Sequence, residues 1–338
     1  MKKIALWNNY TEFAKNQAFN PAAYGIGEDL GYPVILLKER LAEKGYLLET
    51  LDMDSPNAYD AVIFFDYPDS KTCCVDINSI PKEKRFLILM ECEMVYPPNA
   101  RIDLLNEFGF VFTYNDLLVE TAGYTKLNIP NKLKKPMSVP FADKKFSVLI
   151  AGNKTSNNEG ELYSERLNAI RFMEKNYPAE FDLYGIGWNE KTFTGPKLVR
   201  ALNKIRALRI LFAEKHPCYR GKVDKKLEVL SKYRFCFCYE NSNAIPGYIS
   251  EKIWDCFFAG IVPIYYGALN VSDYIPENAF IDFRDFESYA ELYTFLKNMT
   301  ENEYVAYLQA VKQFLKSEQA YSFSAEYFVE AVEKKILK

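Results

Sequence analysis

The chain of 338 residues is predicted to be α/β, built from two parallel-sheet domains. Three observations predict this. Short apolar runs alternate with longer amphipathic or polar stretches, the pattern of strands joined by crossover helices. The alternation breaks once, over a proline- and lysine-rich stretch near residues 123–143, and then resumes. The length also exceeds what one core usually serves, since single hydrophobic cores stop growing near about 250–300 residues.

In the first half the strand-like runs are Lys3 to Trp7, Leu47 to Leu51, Ala61 to Phe65, Arg85 to Glu91 and Phe110 to Tyr114. A helix is predicted over Tyr32 to Lys44, with Pro33 in its first turn, Leu36, Leu37 and Leu41 on one side, and Gly45 just beyond its end. The stretch around TKLNIPNKLKKPMSVPFAD has no period and suits a connector. After it, strands are expected at Lys145 to Ala151, Phe181 to Gly185, Tyr233 to Tyr239 and Val262 to Tyr265. Helices are expected at Tyr163 to Lys175, Lys197 to Phe212, Tyr248 to Ala259, Glu287 to Leu296, Glu301 to Leu315 and Ala325 to Leu337.

With 49% hydrophobic and 26% charged residues the composition is that of a globular protein, and the net charge of −3 supplies no global basic field for nucleic acid. The seven cysteines form no C-x-x-C pair and read as reduced core thiols. The opening MKKIALWNNYTEF lacks the apolar core of a signal peptide, and no run reaches the roughly 18–20 apolar residues that span a bilayer. A cytoplasmic location is therefore expected, with any membrane contact peripheral. The only histidine, His216, excludes multi-histidine metal sites.

The chemistry concentrates between Tyr233 and Phe286. A buried strand delivers Glu240, Asn241 and Ser242 at its carboxyl end, where α/β sheets place their ligands. A loop with Pro246 and Gly247 then opens a helix whose first turn carries Tyr248, Ser250, Glu251 and Lys252, beside backbone N–H groups that favour an anion. Lys252 offers a point charge to a diphosphate, Tyr248 and Ser250 offer hydroxyls, and Glu251 an acceptor for sugar hydroxyls. Taken alone, the Glu251–Lys252 pair is more commonly that of a solvated first turn.

The wider segment, read as YENS, GYISEK, AGIVPI and AFI in that order, resembles the donor-binding signature of the α-1,3-fucosyltransferases, glycosyltransferase family 10. Gly247 stands where an acidic residue is frequent and Ser250 where threonine is. The resemblance implies a GT-B architecture, two Rossmann-like domains facing a cleft. Residues 1–142 would bind the acceptor, 143–320 would bind GDP-fucose, and a last helix in 321–338 would pack back toward the first domain. It also implies a donor site of Glu240, Asn241, Ser242, Tyr248, Ser250, Glu251 and Lys252, with an arginine from ELYSERLNAIRFMEKNYPAEFDLYGIGW on the diphosphate. Arg166 is the first choice for that arginine, and Arg171 or Arg220 the alternatives.

Family members carry a catalytic glutamate just after a strand, and FLILMECEMVYPP offers Glu91 and Glu93, with alignment favouring Glu93. Such a group accepts the acceptor hydroxyl's proton as the oxygen attacks the anomeric carbon. Inversion, no metal and no cofactor are implied, and the expected partners are GDP-fucose and an oligosaccharide or lipid-linked glycan. By resemblance to bacterial members the acceptor atom is O3 of N-acetylglucosamine in an N-acetyllactosamine-like unit of a surface glycan. The alternatives are another nucleotide-sugar donor on the same fold, or a non-catalytic glycan-binding protein.

Three further signals are weaker. Asp52-Met53-Asp54 has the D-x-D form of metal-dependent transferases, and Gly25-Ile26-Gly27 with Gly31 echoes a dinucleotide fingerprint but lies far from the first strand. The predicted helix Lys197 to Phe212 is basic and amphipathic, the pattern of a helix on an anionic membrane and, more commonly, of a packed helix with a solvated face.

Overall fold

The computed structural model describes residues 2–24 and 29–337. The apolar runs pair into two sheets. The first comprises β1 (Lys2–Asn8), β2 (Tyr46–Thr50), β3 (Ala61–Phe65), β4 (Arg85–Ile88), β5 (Phe110–Thr113) and β6 (Thr125–Lys126), in the order β2-β1-β3-β4-β5-β6. The second comprises β7 (Lys145–Ile150), β8 (Phe181–Tyr184), β9 (Tyr233–Tyr239), β10 (Val262–Tyr266) and β11 (Ile281–Asp282), in the order β11-β10-β9-β7-β8. Every pairing is parallel. Strand order reverses between β1 and β3 in one sheet and between β7 and β9 in the other, and open α/β sheets bind ligands at such carboxyl-edge switch points.

The helices are α1 (Tyr32–Glu43), α2 (Ile102–Leu105), α3 (Asp116–Ala122), α4 (Tyr163–Asn176), α5 (Lys197–Ala201), α6 (Arg206–Leu211), α7 (Lys226–Leu230), α8 (Glu251–Ala259), α9 (Tyr289–Asn298), α10 (Glu301–Phe314), α11 (Glu318–Tyr321) and α12 (Ala325–Ile336). Two expectations are corrected. The helix predicted from Tyr248 begins at Glu251, because Ser250 adopts extended backbone and its hydroxyl caps the Lys252 N–H. The single helix predicted over Lys197 to Phe212 is two short helices, α5 and α6, joined by a tight turn at Leu202–Lys204 and an extended Ile205. The short elements β6, β11, α2, α3, α7 and α11 have no strong period in the sequence and escaped it.

The chain crosses between the sheets twice, and the crossings run side by side. Asn131 N–H donates to Phe323 O at 2.7 Å and Ala325 N–H to Asn131 O at 2.9 Å. Beyond this seam, α12 buries Phe328, Val329 and Val332 in the first domain's core beside Leu37 and Leu41 of α1. Lys44 and Glu333 pair at 2.6 Å across that contact. Burying three such side chains contributes several kcal/mol at about 1.5–3 kcal/mol each, so α12 is a working part of the first domain.

Candidate donor and acceptor cleft

Helix α8 is anchored by Ile253, Trp254 and Phe257, all buried, and ends at Gly260. Gly260 sits at φ +66° against the connector, where a Cβ would lie 2.2 Å from Met137 O. This packing aims the amino end of α8 at the carboxyl end of β9. There Glu240, fully buried, accepts from Ser250 N–H at 2.8 Å, Ser250 Oγ at 2.7 Å and Lys252 Nζ at 3.0 Å. Lys252 Nζ also donates to Ser250 Oγ at 2.9 Å. Glu240 thus holds the first turn of α8 in place. Burial alone would lower the Lys252 pKa, but Glu240 and Glu251 raise it, so the ammonium is retained. Burial likewise opposes ionised Glu251, yet Lys252 and Lys226 bring its pKa down to about 2.

Arg166, on α4, is buried beneath the same edge and donates to Tyr239 O at 2.8 Å, Glu240 O at 2.7 Å and Asn241 Oδ1 at 3.0 Å. Asn241 Nδ2 in turn donates to the Tyr248 hydroxyl at 3.1 Å. The alternative arginines are elsewhere engaged: Arg171 pairs with Glu214 at 2.9 Å and Arg220 with Asp182 at 2.6 Å. A pocket lined by Arg166, Lys226, Lys252, Cys238 and Ala151 opens at the β7–β9 switch point.

Of the residues singled out in the sequence, Asn241, Tyr248, Glu251, Lys252 and Arg166 are brought together. Glu240, Ser242 and Ser250 are buried and spent on their own chain, Ser242 Oγ accepting from Ala244 N–H at 3.1 Å. In this structure their polar atoms hold the edge itself in shape. Lys226 was missed. It pairs with Asp255 at 2.6 Å and lines the pocket, but its run GKVDKK carries no motif, and only the fold brings α7 beside α8.

The opposite wall comes from the first sheet. Cys92, Tyr114 and Ile129 pack against Ile245 and Tyr248, with the Tyr114 and Tyr248 ring centroids 5.3 Å apart. Gly247, at φ +79°, allows this approach: a Cβ there would meet Tyr114 O at 2.4 Å. Across the same seam Asp116 accepts from Tyr274 Oη at 2.6 Å and Asn270 Nδ2 at 2.8 Å, while Lys126 Nζ of its own domain donates to it at 2.6 Å. Glu91 and Glu93 flank Cys92 on the loop after β4, which meets the Ile245–Tyr248 loop leading into α8.

That loop has an unforeseen support. Asp66, immediately after β3 and at φ +62°, is buried at the β1–β3 switch point. Its Oδ1 accepts from Met90 N–H at 2.7 Å, Glu91 N–H at 3.0 Å and Asn99 Nδ2 at 2.7 Å, and Asn99 also donates to Glu91 O at 2.9 Å. Burial raises the Asp66 carboxyl to about 7. Glu91 accepts a long bond, 3.4 Å, from the Tyr10 hydroxyl. Glu93 has no hydrogen-bond or ion-pair partner among the described residues, and burial raises its pKa.

The weaker signals find ordinary roles. Asp52 accepts from Lys15 N–H, Asp54 pairs with Lys3, and His216 is packed against Glu174 and Trp188. Gly25-Ile26-Gly27 lies outside the described residues. Five of the seven cysteines are buried, with Cys73 half-buried and Cys74 exposed. Among the described residues no cluster of three or more His, Cys, Asp or Glu is arranged for a metal, and no helix is long and apolar enough to cross a membrane.

The two facing parallel-sheet domains form a GT-B fold. Over its full length the chain superimposes on 90% of a solved alpha1,3-fucosyltransferase with GDP, at TM-score 0.55 and 13% identity. The model of Glycosyltransferase family 10 (fucosyltransferase) C-term matches residues 154–333, more than half of the chain. The chain belongs to that family. Among curated relatives, Alpha-(1,3)-fucosyltransferase FucT of Helicobacter pylori is 36% identical over 75 residues, 22% of this chain and 16% of the relative. GDP-fucose protein O-fucosyltransferase 3 of Gallus gallus is 34% identical over 85 residues, 24% of this chain and 18% of the relative. The matched stretches thus span under a fifth of either relative.

Proposed function

We propose that this protein transfers L-fucose from GDP-fucose to a sugar hydroxyl by a single inverting displacement. The observation that carries the reading is the set Arg166, Tyr248, Glu251 and Lys252 around the amino end of α8, in a chain of the fucosyltransferase family, opposite a loop bearing Glu91 and Glu93. Lys252, Arg166 and the α8 N–H groups would hold the diphosphate and stabilise the charge that develops on departing GDP, the service a divalent ion gives elsewhere. Glu251 would accept hydroxyls of the donor. As the acceptor oxygen bonds to the anomeric carbon, the bond from that carbon to the β-phosphate oxygen breaks. Glu93, unpaired and with a raised pKa, takes the hydroxyl proton; Glu91 is the second choice. The product is an α-fucoside, and no covalent enzyme intermediate is needed.

For the acceptor we propose O3 of N-acetylglucosamine in an N-acetyllactosamine-like unit of a surface glycan. One relative is named for a protein acceptor and another only for its α-1,3 linkage, so likeness to relatives does not by itself give the acceptor.

The test is calorimetric titration with GDP-fucose, GDP-mannose, UDP-sugars and CMP-sugars in EDTA. Selective binding of GDP-fucose that Lys252→Ala abolishes is expected. Preference for another nucleotide, or binding that needs a metal, overturns the assignment.

A further inference from the structure

We propose that the excursion between β8 and α7, residues 190–216, docks on the surface of a bilayer containing anionic lipid. The stretch leaves the core after Trp188, whose Nε1 donates to Ala151 O at 2.7 Å, and returns at buried Cys218; no residue between those two is buried. Its outer part is held by its own polar links, Lys191 N–H to Arg209 O at 2.8 Å, Phe193 N–H to Asn203 Oδ1 at 2.8 Å and Arg209 to Glu190 at 2.8 Å, and its returning end is tied to α4 by Glu214 to Arg171 and His216 to Glu174.

An excursion so far from the core would normally be polar. This one presents Leu198 at 86% exposure, Leu211 at 72% and Phe212 at 57%, with Ile205 and Ile210 also exposed. Apart from an edge contact between Phe193 and Phe212, these large apolar side chains stand largely open among the described residues, and such a concentration marks an interaction surface. The break between α5 and α6 is what exposes them, since neither helix is long enough to lay an apolar stripe on the sheet.

Charge selects the occupant. Residues 190–216 hold seven Lys or Arg against Glu190 and Glu214, a net charge of +5 on a chain whose total is −3. A second copy docking through the same stretch would bring an equal charge against it. A nucleic acid would match the charge but leave the leucines unburied. A bilayer with acidic headgroups satisfies both, taking the leucines into the acyl boundary and the cations at the phosphates. The inference does not depend on which nucleotide sugar fills the cleft.

The experiment is co-sedimentation of the whole protein with vesicles of phosphatidylcholine alone and of phosphatidylcholine with phosphatidylglycerol, at low and high salt. Partition at least about tenfold higher into the anionic vesicles, and reversed by salt, is expected. Leu198→Ser/Leu211→Ser and, separately, Arg200→Glu/Lys204→Glu should each lower that partition about tenfold, while titration with GDP-fucose and the melting temperature stay unchanged as controls of folding. Equal partition into both vesicle types overturns the proposal. So does indifference to the leucine change, or a dimer in ultracentrifugation that the leucine change dissolves. The salt dependence of the unmodified protein keeps the test decisive if either variant folds poorly.

Discussion

At the carboxyl edge of the second sheet three cations, Arg166, Lys226 and Lys252, stand among three carboxylates, Glu240, Glu251 and Asp255. At the facing edge of the first sheet Asp66, whose carboxyl burial raises to about 7, braces a loop through backbone N–H groups, and Glu93 has no partner among the described residues. Under the proposed function the difference follows from the work of each edge. A wall that receives a diphosphate needs fixed positive charge, and burying that charge requires counter-charges so that it does not unfold the site. A wall that must accept a proton needs a carboxylate poised between its two forms, and an adjacent cation would spoil that poise by holding it ionised.

The sharpest way to break the comparison is at Glu93. Glu93→Gln is expected to lower kcat about 10²–10⁴-fold, the usual worth of a general base, with GDP-fucose affinity unchanged by calorimetry. The pH profile carries the sign: the base works as carboxylate, and burial raises its pKa, so kcat/KM should fall on acidification at a pH above the ~4.3 of ordinary glutamate. That acid limb should vanish in the variant. If Glu91→Gln has the larger effect, the proton acceptor is Glu91 and the unpaired state of Glu93 is incidental.

Next in size is the Lys252–Glu240 pair. Lys252→Met removes the ammonium that neutralises fully buried Glu240, and is expected to destabilise the fold by about 2–3 kcal/mol in urea melts. This is less than the 3–5 kcal/mol typical of a broken buried pair because the ammonium is partly solvated. Lys252→Met/Glu240→Gln should recover most of that stability and none of the donor affinity. Recovery of both would reduce Lys252 to a positioning residue.

A smaller effect is expected at Asp66. Asp66→Ala strips two backbone N–H groups and Asn99 of their acceptor, at about 1–3 kcal/mol, and should lower kcat while sparing donor affinity. Asp66→Asn tests the titration. The folded carboxyl titrates near 7 against 3.8 ordinarily, so it favours folding most below pH 3.8 and progressively less as pH rises through 7. Asparagine does not titrate, so the melting temperature of Asp66→Asn minus that of the unmodified protein should climb across that window and level off above it.

The two edges also differed in how far they could be read from sequence. The donor edge is written within one continuous stretch, Tyr233 to Phe286, where β9, its cap and α8 follow one another, so order and spacing were visible. Even there, the bond between Glu240 and Ser250 that braces the first turn of α8 has no signal in the sequence. The facing edge is assembled from residues 8 to 158 places apart: Asp66, Glu91, Asn99 and the Asp116 latch to Asn270 and Tyr274. An Asp after a strand has no periodic or motif signal, and its left-handed backbone and three donors exist only once the sheet has formed. Lys226 was hidden for the same reason. The strands themselves were legible because buried parallel strands are continuous apolar runs, whereas the Lys197 to Phe212 helix failed because helical spacing of leucines does not reveal a tight turn at Leu202–Lys204.

The smallest effect is the one that fixes the register of the donor wall. Arg166 and Arg171 lie five positions apart on α4, too far round the helix to share a face, and a slip in alignment exchanges them. Arg171 is about half exposed and bound to Glu214, an ion pair of the kind worth about 0–1 kcal/mol. Arg171→Ala should therefore leave both the melting temperature and the GDP-fucose affinity nearly where they were. Arg166→Ala, by contrast, releases Tyr239 O, Glu240 O and Asn241 at the rim of the pocket and should weaken donor binding together with stability. A loss of affinity in Arg171→Ala with no loss of stability would move the diphosphate off the β9 edge and onto the outer face of α4, where Lys252 cannot also reach it. The shared pocket of Arg166, Lys226 and Lys252 would then have to serve something other than the donor.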